Sequence, residues 1–299
     1  MEKDHDTHDT NGHGPASPRT HDHGSDEHIN YRSREDALHR VRTAGSVSIS
    51  PELFEKLYLS PQNKVKGDLR KTFGNPTPIA LVGFLVSLFP LSMDLMGWRG
   101  AGGSGAASIG AYFFFGGLLM LIGGLFEWIL GNTFPSVVFL TFSGFWFTFG
   151  ATLNPSFAAW SSYAPPGASS VTEGLQTQGF NASFGFFLLT MGMICLVFLV
   201  CSLRTNLVFF IIFLTLIIGF GLLTGAYWAL ASNYAGNAAF ANRCIVGGGA
   251  TFFVTCLAGW WIFFAIMLAV LDFPFQIPVG DLSHVIKPRS QRMSGAGEA

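Results

Sequence analysis

The chain reads as an all-α integral membrane protein with six spans, and three observations predict it. Between Thr77 and Leu271 lie six apolar runs that reach or approach the roughly 20 residues a helix needs to cross hydrocarbon at about 1.5 Å per residue. Almost every ionisable residue falls outside those runs. The runs also lack the apolar-polar alternation of barrel strands, and a helix is the remaining way to pair every backbone group in lipid. A mean hydropathy of +0.42 understates the membrane part, because some seventy polar residues precede it.

Taken in order, the predicted spans are 78–98, 109–130, 135–153, 184–203, 207–231 and 246–271. Three domains follow: a tail over 1–72, a membrane domain over 73–272 and a second tail over 273–299. Residues 1–48 are rich in His, Asp, Gly, Ser and Thr and too poor in apolar groups to order themselves. His5, His8, His13, His21, His23 and His28 either titrate as a solvated tail or, as clustered imidazoles, take a transition metal; the solvated tail is preferred and no metal site is assigned. Over 51–58, Leu53, Phe54, Leu57 and Tyr58 recur at helical spacing ahead of Lys64, Lys66, Arg70 and Lys71, which predicts a short interfacial helix on anionic lipid.

Basic residues flank the spans unevenly. Lys64 to Lys71, Arg204, Lys287, Arg289 and Arg292 fall on one side, against Arg99 and Arg243 on the other. The positive-inside tendency then puts both termini in the cytoplasm of a multi-pass protein, with the plasma membrane as its expected location. No apolar stretch occurs before residue 77, so the first span is expected to serve as the insertion signal. A formal net charge of −1 without a basic face argues against nucleic acid as a partner, and the bilayer is the surrounding medium. The four cysteines show no ligand spacing and are expected to pack as small residues.

Nothing in the chain argues for catalysis or a cofactor. Gly100 to Gly105 satisfies the dinucleotide pattern G-x-G-x-x-G, but no strand precedes it, and it reads as a flexible connector. No nucleophile elbow, zinc-protease pair or phosphate-binding lysine occurs. The chain is read as a non-enzyme.

The odd-numbered spans share a way of beginning. Asn75 and Pro76 with Thr77 and Pro78 open the first, Asn132 and Thr133 the third, and Thr205 and Asn206 the fifth. Asn and Thr are good N-caps, and Pro suits the first helical turn. Three positive helix ends would then face one cytoplasmic mouth and attract a small anion. Phe84, Phe142 and Leu214 lie eight or nine residues beyond those caps, near the middle of a core about 30 Å thick. Were the three helices to face one another, these side chains would form a dry midplane ring able to gate by dewetting.

Other polar residues carry paired readings. Glu127, near the inner end of the second span, serves either as a proton relay or as an anchor for the chain around Asn132. Asp94 either pairs with Arg99 or collects cations at the exit. Asn237 either lines an outer vestibule or makes a turn. Asn181-Ala182-Ser183 matches a glycosylation sequon beside the fourth span, at the end of a long loop. Gly116, Gly117, Gly123, Gly124, Gly221, Gly225 and Gly247 to Gly249 are expected to allow close helix approach. Trp260 and Trp261 are expected at a subunit contact.

Asn75-Pro76-Thr77-Pro78-Ile79-Ala80-Leu81 resembles the N-P-A-P-L-G-L signature of the acetate uptake transporter family. Further matches follow in family order: Phe115-Gly116-Gly117 with Gly124 and Glu127, Gly131 to Phe134, Phe145-Trp146, Ala235 to Ala239, and Ile277 to Gly280. The resemblance implies six helices around a pore, assembly into a homo-hexamer, and passage of acetate-like monocarboxylates with a proton. It also implies a Phe, Tyr and Leu constriction at Phe84, Phe142 and Leu214, where Phe142 lacks the family hydroxyl. Met120 stands where many relatives carry Gln, so both departures are expected to dry the conduction path. The alternatives are a channel or exporter for another small solute such as ammonia, or an acid-sensing membrane protein.

Overall fold

The computed structural model describes residues 73–282. The His-rich tail and the segment over 51–58 lie outside them. Six helices among the described residues are long and apolar enough to cross a membrane: α1 Thr77–Leu95, α2 Gly103–Ile129, α3 Thr133–Leu153, α4 Gln178–Ser202, α5 Leu207–Ser232 and α6 Ala238–Val270. Phe73 and Leu282 both lie where α1, α3 and α5 begin, here termed the terminal face; the long connection between α3 and α4 marks the opposite loop face.

Three helices, α2, α4 and α6, start six or more residues earlier than hydropathy predicts. α4 begins at Gln178 rather than 184 because Asn181 returns its amide to the carbonyls of Leu175 and Thr177, both at 2.8 Å, which hides its polarity inside the first turn. That amide is 1 % exposed, so the sequon is folded into a helix start. α6 begins at Ala238 rather than 246, since its small and polar opening turns follow on from the Asn237 turn. α2 starts in 3-10 turns and takes π geometry over Tyr112–Leu119. Such a segment loosens the backbone ladder. Ser87 of α1 donates to the carbonyl of Ala111 at 3.2 Å, and Ser143 of α3 donates to that of Gly117 at 2.8 Å. Both hydroxyls are buried, so the two serines tie α2 to its neighbours where it is wound most loosely.

Neighbouring helices pack in the order α3, α2, α1, α6, α5, α4. The ring contacts Phe142–Phe198 and Phe145–Phe187 bring α4 back to α3, so the six surround one apolar core. Glycines set the closeness of the first three. A Cβ on Gly116 would stand 2.4 Å from Trp146 Cγ, one on Gly117 2.5 Å from Phe147, and one on Gly123 2.7 Å from the Ala80 side chain. A Cβ on Gly221 or Gly225 would meet nothing within 4 Å, so these two are not sites of close helix approach within the protomer. Cys195 and Cys256 are fully buried packing residues, whereas Cys201 is exposed.

The last span ends at Val270, beside the predicted boundary at residue 272, and the chain after it stays against the bundle. Chain 277–282 folds back over the start of α5: Leu207 N–H donates to the Gly280 carbonyl at 2.7 Å and Leu282 N–H to that of Thr205 at 3.1 Å. Trp261 Nε1 donates to the Pro278 carbonyl at 2.9 Å. Trp261 therefore pins this strap, a role that its sequence context does not reveal.

Candidate functional site

A cavity occupies the half of the bundle toward the loop face. About 50 Å³ of it is open to the centres of water-sized molecules, several times the ~10–15 Å³ that one water needs. Every span or its flanking turn contributes to the lining, among them Leu91, Phe149, Leu188, Phe220, Tyr227 and Phe252. Its polar side chains are Ser104, Trp146 and Tyr227.

The floor lies near mid-bundle. Phe84 stands seven residues after Thr77, Phe142 nine after Thr133, and Leu216 nine after Leu207. All three are buried and line the cavity, at depths of roughly 10 to 14 Å from their helix starts. Phe84 and Phe142 meet edge to face, centroids 6.2 Å apart. Leu214 is not part of this floor. It is 39 % exposed on the outside of the protomer, because two residues along a helix turn a side chain by about 200°. Equal depth was readable from residue counts; facing was not.

Toward the terminal face the core is filled. Phe142 touches Phe198, and Phe198, Phe213, Phe134 and Phe209 continue as ring contacts with centroids 5.5 to 6.4 Å apart. The helix starts beyond them do not face one open mouth. Asn75 Oδ1 accepts the Thr77 N–H at 2.9 Å, and Asn206 Oδ1 accepts the Phe209 N–H at 2.9 Å. Asn206 is 0 % exposed beneath the strap, however, and Pro76 and Thr77 are buried. Asn132 makes no side-chain cap on α3, where Thr133 opens the first turn; its amide donates instead to Glu127 Oε2 at 2.6 Å.

Glu127 is fully buried, with Thr77 Oγ1 donating to Oε1 and Asn132 donating to Oε2. Its carboxyl ties the starts of α1 and α3 to the end of α2. That geometry is the anchor of the two sequence readings, and Glu127 is not among the cavity-lining residues. Asp94 lies beside Gly105 and Tyr112 at the loop face rather than against Arg99. Asn237 donates to the Ala229 carbonyl at 2.8 Å and to Ser232 Oγ at 3.0 Å, which makes it a turn residue closing α5. Met120 is buried against α1, near Gly83, and is not among the cavity-lining residues, whereas Phe142 is.

The connector over 100–105 carries more than its composition suggests. Ser104 adopts φ 54°, a left-handed conformation rare outside glycine, and lines the cavity together with Tyr227. Tyr112 holds the connector by donating to the Gly105 carbonyl at 2.9 Å. The signal available in the sequence was the glycine run itself, read there as slack.

Residues 59–284 match the model of the GPR1/FUN34/yaaH family. The chain belongs to that family. It is 46 % identical over 241 residues to Protein alcS of Aspergillus fumigatus, covering 80 % of this chain and 86 % of that one. It is 26 % identical over 271 residues to Ammonia transport outward protein 2 of Saccharomyces cerevisiae, covering 84 % and 86 %. To Acetate transporter protein patA of Aspergillus clavatus it is 30 % identical over 212 residues, covering 71 % and 80 %. The solved structure of the bacterial acetate channel SatP superposes with a TM-score of 0.54 at 23 % identity, over 70 % of this chain and 99 % of that one. The fold is shared with that channel, and this family member is a multi-pass membrane protein.

Proposed function

We propose that this protein carries small monocarboxylic acids of the acetate type across a membrane, with the acid's negative charge balanced by a proton. The observation that supports it most is the cavity drawn from every span and floored at mid-bundle by Phe84, Phe142 and Leu216, in a chain related to acetate carriers. Closure at this floor is a hydrophobic gate, since a charged acid passing three hydrocarbon groups must shed water without replacement. A proton travelling with the substrate removes most of that cost. Glu127 with Thr77 and Asn132 holds the terminal-face helix ends in register rather than touching the solute. In this proposal the protein sits in the plasma membrane with both tails cytoplasmic, and protomers assemble as a hexamer.

Uptake of labelled acetate by proteoliposomes tests the gate. Leu216→Ala is expected to raise flux severalfold, whereas Leu214→Ala on the outer surface leaves it near wild type. Equal responses at the two positions would remove the floor from the mechanism. A second reading, passage of a neutral solute such as ammonia, draws on the cavity's largely apolar lining and on the yeast relative. Unlabelled acids and unlabelled ammonium as competitors separate the two.

A further inference from the structure

Trp146 stands four residues, about one helical turn, beyond Phe142 toward the loop face, and lines the cavity while only 1 % exposed. Its indole Nε1–H is buried without a hydrogen-bond acceptor among the described residues. Buried donors are almost always paired, so an orphan bordering a cavity points to something that arrives from the cavity. The ring itself is held firmly. Tyr112 stacks on it with centroids 5.2 Å apart and 18° between planes, and Phe145 and Phe149 meet it edge-on at 5.2 and 6.2 Å. Gly116 makes the seat, since any Cβ there would occupy the position of the indole. Tyr112 is fixed in turn by its bond to Gly105. The ring is already fixed, and a ligand that reaches its N–H has little ordering of the indole left to do.

We propose that Trp146 Nε1–H is the deep recognition donor of the cavity, donating to a carboxyl oxygen of the passing acid just beyond the Phe84, Phe142 and Leu216 floor. The inference rests on the transport reading above and narrows its substrate class. An indole N–H donates and has no lone pair to offer. It therefore suits oxygen acceptors of short acids, in either protonation state, and has nothing to give an ammonium ion. The shape of the cavity adds a size limit, because Leu91, Leu188 and Phe220 surround the same space with hydrocarbon. Ser104 and Tyr227 supply the polar contact at the outer end, so a small acid meets a hydroxyl pair first and the indole second.

The test uses full-length protein in nanodiscs and proteoliposomes, with acetate as probe. Trp146→Phe removes the N–H and keeps an aromatic ring against Tyr112. The KM for labelled acetate is expected to rise about tenfold, with maximal flux within about twofold of wild type, the size expected for one buried hydrogen bond. A purely structural role would lower maximal flux and leave KM unmoved, which would overturn the proposal. In a second arm, the protein carries 15N-labelled indoles, and the resonance missing from Trp146→Phe, or from Trp146→Tyr should the first variant not fold, is followed during acetate titration. A saturable downfield shift at transporting concentrations supports the bond. A resonance unmoved while wild-type flux proceeds overturns this inference and leaves transport standing. Absence of wild-type acetate flux would instead overturn the transport reading, and the indole shift would still decide the binding.

Discussion

The terminal half of the bundle and the loop half are built from the same Phe, Leu and Gly vocabulary but are closed in different ways. The terminal half spends polar groups on ties between elements: Thr77 and Asn132 on Glu127, Asn206 on its own helix start, and the strap over 277–282 on α5 and Trp261. Behind those ties the phenylalanines from Phe134 to Phe213 fill the core. The loop half keeps its tertiary polar contacts few and leaves a cavity, with a connector bent through left-handed residues at its edge. A passage through the terminal half must separate bonded groups and stacked rings together. One through the loop half has only the 100–105 connector and apolar contacts to displace.

That contrast can be broken first at Glu127. Glu127→Ala removes the buried carboxylate to which Thr77 and Asn132 both donate and is expected to cost about 3 kcal/mol, read as loss of thermal or denaturant stability in detergent. A change below about 1 kcal/mol would mean that the terminal half does not depend on this clamp. Next in size, Gly116→Ala drives a methyl into Trp146 and should cost about 1–3 kcal/mol, while Gly225→Ala, with open space around it, is expected to be neutral or to stabilise by up to about 1 kcal/mol. The two alanines measured side by side separate helix propensity from packing. Smaller again, Trp261→Phe removes one bond to the strap and is expected to cost about 1 kcal/mol and to speed amide exchange at Leu207 and Leu282, with little change elsewhere.

The smallest effect lies in the loop over 154–177. Glu173 accepts from the Ser169 hydroxyl at 2.7 Å and from the Ser169 and Ser170 N–H groups, and these bonds hold its carboxyl below the ordinary range. A lowered native value means that the bonds are fully present above the unfolded pKa and are lost as pH falls through the native one. Exchange at the amides of Ser169 and Ser170 should therefore stay slow from neutral pH into mild acid and quicken below that. Glu173→Gln should flatten the profile.

The residues differ in how far they could be read without coordinates. The spans were legible because burial in lipid imposes length and apolarity on contiguous residues, and the caps at Asn75 and Asn206 because capping is local. Asn132 looked like a third cap, yet its amide goes to Glu127, a partner that local spacing cannot weigh against a helix end. Leu214 and Leu216 share composition, neighbours and nearly the same depth. Only the azimuth of α5 among its neighbours chose between them, and every residue near them is apolar, so no pattern marks the inner face. Trp261 has a partner within its own chain, the Pro278 carbonyl of the strap, that sequence spacing does not show.

By itself the sequence determined six membrane-crossing helices, their approximate ends and the family motifs that order them, because each depends on a contiguous stretch and its solvent. The tertiary structure alone decided which side chains floor the cavity, that 277–282 covers the α5 start, and that Gly116, Tyr112 and Trp146 form one unit with an unpaired donor. Those outcomes depend on helix rotation and on contacts between residues far apart in the chain, and a bundle that is apolar on all sides offers no periodicity from which to read rotation.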